Sequence, residues 1–394
     1  MPIINRMAEL HDEIAAWRRE YHSNPELLYD VHQTAASVAR RLREFGCDEV
    51  VEGIGQTGVV GVIRGKGDGP AIGLRADMDA LPIREESGKP WSSKVAGKMH
   101  ACGHDGHTAM LLGAARYLAE TRNFSGKAVV IFQPAEEGGA GGRAMVEDGL
   151  MTRFGIAEVY GMHNMPGLPV GHFALRPGPM LAAADEFTVT VRGAGAHAAM
   201  PHRGIDPVVI AAHCITALQT IVSRGVDPLD SLVISVTQVR AGDAHNVIPE
   251  FATFGGTVRT LKREVLDFTV RRMREVLEHV AAAFGGTAEL DYHYGYPVTY
   301  NHEEQTAKAA AVAAAVAGEN GVTSNVAPVM GGEDFSFMLL ERPGAFIFAG
   351  NGDTSGLHTP QYDFNDELIP AGCSYWVRLV ETLMPADEAA RRVA

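Results

Sequence analysis

The chain has 394 residues, and its 48 acidic and 34 basic side chains give a formal net charge of −14. An acidic surface repels phosphate backbones, and no Lys- or Arg-rich run offers a local exception, so the composition argues against nucleic-acid binding. The length exceeds what one hydrophobic core usually serves, so two domains are expected.

The N-terminal region, MPIINRMAELHDEIAAWRREYHSNPE, is charged and lacks the apolar core and cleavage site of a secretory signal. No stretch approaches the roughly 20 uninterrupted apolar residues that span a bilayer. The four cysteines lie far apart and form no CxxC pair, which suits a reducing compartment. We therefore expect a cytoplasmic protein without membrane contact.

The first part of the chain alternates helical and strand patterns, which is typical of an α/β layered domain. Helices are predicted over residues 7–21, 33–45 and 108–118, and short apolar runs predict strands over 58–63, 71–76, 128–133 and 157–162. Several of these strands end in a residue of metal-binding type. Open α/β sheets place their sites at this carboxyl edge.

The pattern changes near Ala182 and returns near Tyr300. Between these points strands are predicted over 186–192, 232–239, 251–260 and 288–294, and helices over 207–223 and 264–283. Their order is the split βαβ pattern of ferredoxin-like domains. A helix over 305–317, a strand over 345–349 and a helix over 368–383 follow, and the end, ADEAARRVA, is predicted to fray. The sequence thus predicts an α/β domain (1–182 and 299–394) interrupted by an inserted α+β domain (183–298).

The densest group of ligand-type side chains is MHACGHDGHT, just before the helix predicted from Thr108. A thiolate at Cys102 and an imidazole at His104 can converge on one ion, because Gly103 lets the backbone bend between them. In the alternative interpretation, polar residues such as Asp105 merely cap the helix. The choice depends on partners elsewhere in the chain.

Candidate partners follow predicted strands. The segment FQPAEEGGAGG is a buried strand that ends in Glu136 and Glu137. Two such carboxylates can divide the work of a hydrolase, since one can ligate a metal while the other takes a proton from activated water. Other ends carry His163 in GMHNMP, His358 in GLHT, and Asp77 and Asp79 in RADMDALP. Mixed sulfur, nitrogen and oxygen ligands favour zinc or a neighbouring divalent ion over magnesium or calcium.

Seven segments along nearly the whole chain resemble the aminoacylase and glutamate-carboxypeptidase family of two-metal exopeptidases, in particular its hippurate hydrolase and indole-acetyl-amino-acid hydrolase branch. They are RADMDALP, MHACGHDGHTAMLLGAA, FQPAEEGGAGG, GMHNMPGLPVG, GAGAHAAMPHRGIDP, HNVIPEFATFGGTVR and GGEDFSFM. The resemblance implies two divalent metal ions (zinc, manganese, cobalt or nickel) with the ligands Cys102, His104, Glu137, His163 and His358. It also implies Glu136 as general base and Asp79 as an orienting residue. His100 and His107 remain structural in this interpretation.

The resemblance gives the inserted domain the role of a lid and dimerisation domain. His197, in the small-residue loop GAGAHAAMP, would reach the active site of the partner subunit and stabilise the oxyanion, so a homodimer or dimer-based homotetramer is expected. Asn246 and Arg259 would hold the substrate carboxylate. Alternatively, Asn246 is a turn residue and Arg259 lies on a solvated strand face.

The function implied by the resemblance is metal-dependent hydrolysis of the amide bond of small N-acyl amino acids, with acetyl, benzoyl or aryl-acetyl groups. A free amino acid and a carboxylic acid would be released. Three alternatives stay open: a dipeptidase or carboxypeptidase on the same scaffold, a catalytically silent metal-binding protein, and a thiol hydrolase built on Cys102 and His104. Loss of activity on chelation would separate a metal enzyme from a thiol enzyme.

Overall fold

Residues 3–386 are described by a computed structural model, and of the C-terminal segment predicted to fray, residues 387–394 lie outside the described part. The chain divides into two units. The first comprises the described residues of Met1–Met180, Tyr300–Ala327 and Asp334–Ala394. The second comprises Leu181–Thr299 and Pro328–Glu333.

The helices and strands follow in chain order. Up to residue 181 they are α1 (Asn5–Glu9), α2 (His11–Ser23), α3 (His32–Glu44), β1 (Glu49–Ile54), β2 (Gly58–Arg64), β3 (Gly67–Asp77), α4 (His104–Thr121), β4 (Ser125–Gln133), α5 (Gly141–Glu147), α6 (Leu150–Arg153), β5 (Ile156–Pro166), β6 (Phe173–Ala174) and β7 (Gly178–Leu181). Next come β8 (Ala183–Arg192), β9 (Ala196–His197), α7 (Pro207–Thr220), β10 (Leu232–Ala241), β11 (Val247–Ile248), β12 (Phe251–Thr260), α8 (Arg263–Ala283) and β13 (Thr287–Tyr296). The last are β14 (Thr299–Asn301), α9 (Glu303–Ala317), β15 (Val322–Thr323), α10 (Ser336–Glu341), β16 (Gly344–Gly352) and α11 (Ile369–Leu383).

The first unit is built on an eight-stranded mixed sheet in the order β1-β2-β4-β3-β5-β16-β6-β15. At its centre β3 pairs in parallel with β4 and β5, and β16 pairs in parallel with β5. These strands are buried, which explains their continuous apolar sequences. Because the four strands are parallel, their carboxyl ends meet at one edge of the sheet.

Helix α4 begins at His104 and not at Thr108, so the predicted helix start was wrong. Its N-cap, Gly103, has the left-handed φ of 93° and no side chain caps the helix, which removes the capping role considered for Asp105. The start was misjudged because the first turn of α4 is polar in sequence and yet buried, so the apolar pattern of a buried helix begins only after it.

The second unit has a four-stranded antiparallel sheet in the order β10-β12-β8-β13, formed from the chain order β8-α7-β10-β12-α8-β13. This is a ferredoxin-like arrangement.

The segment Pro207–Gly225 is long and apolar enough to cross a membrane by length and composition alone. It is α-helical to Thr220 and continues as a π-helical turn. Ile210, Cys214 and Leu218 on one of its faces pack into the core of the unit.

A buried ionic cluster joins α2 to the start of α4. His22 Nδ1 lies 2.8 Å from Asp105 Oδ2, and His22 Nε2 lies 3.2 Å from Glu85 Oε1. Arg18 Nη1 lies 3.5 Å from the same oxygen of Asp105. Burial by itself would lower the pKa of His22, but hydrogen bonds to Asp105 and Glu85 raise that pKa to about 9. His22 is therefore a buried cation whose stabilising effect depends on pH.

We expect His22 to stabilise the fold most below its unfolded pKa of about 6.5 and to lose this contribution as the pH rises through 9. The shift of the His22 pKa from 6.5 to about 9 corresponds to about 3 kcal/mol of folding free energy. The measurement is the free energy of urea unfolding for wild type and His22→Gln between pH 6 and 10, at constant metal concentration. The difference between the two proteins should shrink across this range. A difference that is constant with pH would contradict the prediction.

Candidate metal centre

Five side chains from separate segments converge at the carboxyl edge of the first unit's sheet. Cys102 precedes α4, His104 begins α4, Glu137 follows β4, His163 lies near the end of β5, and His358 lies between β16 and α11. Cys102 Sγ is 3.3 Å from His163 Nε2 and 3.3 Å from His358 Nε2. Glu137 Oε1 is 3.2 Å from His358 Nε2 and 3.9 Å from His104 Nε2. All five predicted ligands thus face a common space.

The loops that carry these side chains contain backbone conformations that few residues adopt. Ala135, Ala140 and His358 have positive φ angles of 54°, 55° and 60° without being glycine. At Gly103 a Cβ atom would overlap the side chains of Asn164 and Tyr362. Such strain concentrates at functional sites, where the surrounding structure enforces it.

Asp79 orients three neighbouring groups. Its main-chain carbonyl lies 2.8 Å from His104 Nδ1, which must therefore carry the proton and leave Nε2 facing the centre. Its carboxylate accepts hydrogen bonds from the backbone N–H groups of Glu136 (2.9 Å) and Glu137 (3.1 Å). Glu136 is buried, and one of its carboxylate oxygens groups with His104 and Glu137 within 4.8 Å. The adjacent carboxylates are thereby fixed by their backbones.

Burial and neighbouring charges shift the pKa values of the side chains in this centre in different directions. Burial raises the pKa of the Cys102 thiol well above its ordinary value and lowers the pKa of His163 well below it. Burial would also lower the pKa of His104, but Asp77, Asp79 and Glu137 raise it to about 10. A divalent cation would replace the protons on sulfur and nitrogen, because metal ligands must be deprotonated.

The residues fit a metal site. His104 Nε2 and Glu137 Oε1 are buried without a hydrogen-bond partner, although Glu137 Oε1 is close to His358. Buried polar atoms rarely stay unpaired, and an ion between them would satisfy both. Two groups of ligand atoms, each within 4.8 Å, share the Cys102 sulfur: one with His104 and His163, the other with Glu137 and His358. Overlapping groups of this kind suit two ions, and their mixed chemistry suits zinc or its neighbours.

Asp77 lies beside the common space, with its Oδ2 3.8 Å from His104 Nε2, and both of its carboxylate oxygens also contact other side chains. Its Oδ1 lies 2.6 Å from His107 Nδ1, and its Oδ2 accepts a 2.6 Å hydrogen bond from Arg75 Nη1. Burial would raise the pKa of Asp77, but His104, Arg75 and His107 hold it well below its ordinary value. His100, also treated as structural, is buried near the same helix start, and burial lowers its pKa to about 3.

The other predicted site residues lie in the second unit. His197 is exposed on β9, where it pairs with Val247 of β11, and its Nδ1 accepts a 3.1 Å hydrogen bond from the backbone of Ala199. Asn246 is exposed and its carbonyl accepts from the N–H of Ala198. Arg259, on β12, lines a polar groove of about 330 Å³ on the sheet.

Sequence reasoning missed Asn164 and Tyr362, which lie directly behind the ligand loops. Tyr362 Oη donates a 2.7 Å hydrogen bond to Asn164 Oδ1, and Asn164 Nδ2 donates a 2.6 Å hydrogen bond to the Cys102 carbonyl. The only signal available was the position of Asn164 next to His163 in GMHNMP.

Comparison with known proteins identifies relatives of this chain by sequence and by structure. The sequence model of peptidase family M20/M25/M40 matches residues 73–382. Hippurate hydrolase of Campylobacter jejuni is 42% identical over 379 residues, which cover 96% of this chain and 98% of that protein. N-acetylcysteine deacetylase of Bacillus subtilis is 38% identical over 370 residues, which cover 94% and 96%. A crystal structure from Bacillus subtilis, described as a dinuclear metal binding peptidase, is 34% identical with a TM-score of 0.84 and covers 96% of this chain and 99% of that one.

Replacing the sulfur tests the ligand set. We expect Cys102→Ser to weaken metal binding and to make activity depend on added metal, because a hydroxyl is a far poorer ligand than a thiolate for borderline-soft ions. Metal content after dialysis is the measurement, with Cys373→Ser, another buried cysteine that contacts the Met110 carbonyl, as the matched control. Full metal occupancy in Cys102→Ser would remove Cys102 from the centre.

Proposed function

The chain belongs to peptidase family M20/M25/M40, and on that premise we propose that it hydrolyses the amide bond of small N-acyl amino acids, releasing an amino acid and a carboxylic acid. It is a metal-dependent amidohydrolase. The observation that carries the proposal is the convergence of five ligand-type side chains beside the adjacent carboxylates Glu136 and Glu137. The relatives named hippurate hydrolase and N-acetylcysteine deacetylase support benzoyl and acetyl groups as the acyl part, and we include aryl-acetyl groups in the proposal.

We assign the ligands of two divalent ions (zinc, manganese, cobalt or nickel) to Cys102, His104, Glu137, His163 and His358. When bound, the ions supply Lewis-acid activation of water and of the amide carbonyl. Asp79 holds the tautomer of His104 and the backbone of both glutamates. His358, with 52% of its side chain exposed, lies on the solvent side of the centre.

Glu136 is the proposed general base. It is buried beside His104 and Glu137, where a carboxylate can accept a proton from the attacking water and return it to the leaving amine. The water oxygen forms the new bond to the acyl carbon, and the carbon–nitrogen bond breaks as the amine is protonated. The side chain starts and ends the cycle as a carboxylate, so no external proton acceptor is needed.

The second unit is proposed to act as a lid and dimerisation domain in a cytoplasmic homodimer or dimer-based homotetramer. Arg259 and Asn246 would hold the substrate carboxylate, since an Arg guanidinium pairs with a carboxylate in a bidentate fork. His197 would stabilise the oxyanion in the active site of the partner subunit. The exposure of His197 and Asn246 and the polar groove at Arg259 support these roles.

The peptidase description of the family favours one alternative, a dipeptidase or carboxypeptidase on the same scaffold. A panel of acetyl-, benzoyl- and indole-acetyl-amino acids beside dipeptides and their carboxamides separates the two. The proposed function requires a free carboxylate on the amine side and tolerance of different acyl groups. A requirement for a free amino group in the substrate would favour the dipeptidase.

The general base is tested by Glu136→Gln. We expect turnover of benzoyl-glycine to fall by roughly 10²- to 10⁴-fold, because the amide cannot accept the proton. Metal content should stay near that of wild type, since Glu136 moves protons and does not bind the ions. Glu137→Gln is the matched control and should lose metal. If Glu136→Gln loses metal and Glu137→Gln keeps it, the two roles are reversed.

The shared active site is tested by mixing Glu136→Ala and His197→Ala proteins, each nearly inactive alone. In a mixed dimer one site receives both lesions and the other receives neither. Random pairing makes about half of the dimers mixed, so activity should return to roughly a quarter of wild type. A different affinity tag on each variant allows the mixed dimer to be purified in two successive affinity steps. Inactive mixed dimers would show that His197 acts within its own chain.

A further inference from the structure

Asn164 is a fully buried residue that contacts four surrounding groups of the metal centre. Its backbone carbonyl lies 2.7 Å from His163 Nδ1, and its backbone N–H donates to His107 Nε2 at 2.9 Å. Its side-chain Nδ2 donates to the Cys102 carbonyl at 2.6 Å, and its Oδ1 accepts from Tyr362 Oη at 2.7 Å. The backbone and side-chain polar groups of Asn164 thus all make contacts next to the proposed ligands.

These contacts determine how two proposed ligands face each other. A carbonyl only accepts, so His163 must carry its proton on Nδ1, and Nε2 keeps its lone pair toward Cys102 Sγ at 3.3 Å. The side-chain amide fixes the Cys102 backbone from the other side. Metal-binding histidines are generally oriented by such a hydrogen bond on the second nitrogen.

Asn164 is itself held rigidly from two directions. His107 Nε2 accepts from Asn164, so its proton is on Nδ1, which donates to Asp77, and Asp77 in turn accepts from Arg75. On the other side, Tyr362 lies in the same loop as His358. The backbone N–H of His358 donates to the Ala101 carbonyl at 2.8 Å and so holds this loop in place. Side-chain contacts from both sides thus leave Asn164 one orientation.

We propose that Asn164 is a positioning residue that sets the sulfur–nitrogen half of the metal centre, by fixing the Cys102 backbone and the His163 tautomer at once. The inference rests on the proposed metal centre and deepens it. Only an amide can donate to the Cys102 carbonyl while accepting from the Tyr362 hydroxyl. A carboxylate of the same shape has no such donor and would face the carbonyl oxygen instead.

The test uses the cobalt-substituted enzyme, because the thiolate-to-cobalt charge-transfer absorption reports the bond between Cys102 and the metal. Asn164→Asp should weaken this absorption and lower cobalt affinity, measured by chelator competition, by roughly 10- to 100-fold. Cys102→Ser should abolish the absorption and thereby assign it. Tyr362→Phe removes one hydrogen bond to Asn164 and should produce a smaller change in the same direction, which keeps the inference testable if Asn164→Asp does not fold.

Asn301 provides the matched control. It is also fully buried and bridges backbone groups, since its Nδ2 donates to the carbonyls of Arg176 and Phe346 and its Oδ1 accepts from the Phe346 N–H. Asn301→Asp should reduce stability to urea and leave the cobalt spectrum and affinity unchanged. If the Asn164 and Tyr362 variants behave like this control, the inference is overturned.

The proposed function can fail separately. A wild-type enzyme that shows the charge-transfer absorption, and whose Asn164→Asp variant loses it, supports the positioning role even if no N-acyl amino acid is hydrolysed. A wild-type enzyme without the absorption would overturn both the assignment of Cys102 and the role of Asn164. Hydrolysis with an absorption that Asn164→Asp leaves unchanged would overturn the positioning role alone.

Discussion

The parallel pairing of β4, β3, β5 and β16 is the constraint on which the candidate centre depends. Parallel strands end at the same edge of a sheet, so residues far apart in sequence become neighbours where the strands stop. Asp79 and Glu136 follow two of these strands and His163 lies near the end of a third, and the Glu136 backbone N–H donates to the Asp79 carboxylate across the edge. A change of register in any one strand would move its ligand away from the others, because side chains alternate between the two faces of the sheet.

Burial of this edge of the sheet determines the protonation states of its side chains, and it makes their unpaired polar atoms destabilising. The low dielectric around Cys102 and His163 favours their neutral forms, while the carboxylates around His104 favour its protonated form. Without a cation the centre thus holds unpaired polar atoms and unbalanced charge, which buried sites rarely tolerate. Metal affinity and conformational stability are therefore coupled, since a bound cation would balance the charge of the buried carboxylates and pair with the unpaired ligand atoms. His358 is the exposed member of the set, although its Nε2 lies 3.2 Å from Glu137 Oε1.

Much of this arrangement could be predicted from the sequence, because apolar runs that stop at ligand-type residues are local patterns. The strands at 58–63, 71–76 and 128–133 and the ferredoxin-like strand order were predicted from periodicity, and the structure contains them. The predicted start of α4 was wrong because its first turn is polar in sequence and yet buried in the structure. Asn164 and Tyr362 could not be predicted, because their hydrogen bonds join residues about 60 and 200 positions apart and depend on packing alone.

The two groups of candidate site residues are constrained in different ways. Each proposed metal ligand in the first unit is fixed by a neighbour's hydrogen bond or by strained backbone, as Asp79 fixes His104 and Asn164 fixes His163. By contrast, His197 and Asn246 in the second unit are exposed, and they lie on two short segments that are joined by the β9–β11 pairing and by the hydrogen bond from the Ala198 N–H to the Asn246 carbonyl. A preorganised centre suits chemistry that tolerates little displacement. The fold constrains the geometry of exposed residues less tightly, so the binding of a ligand can shift it.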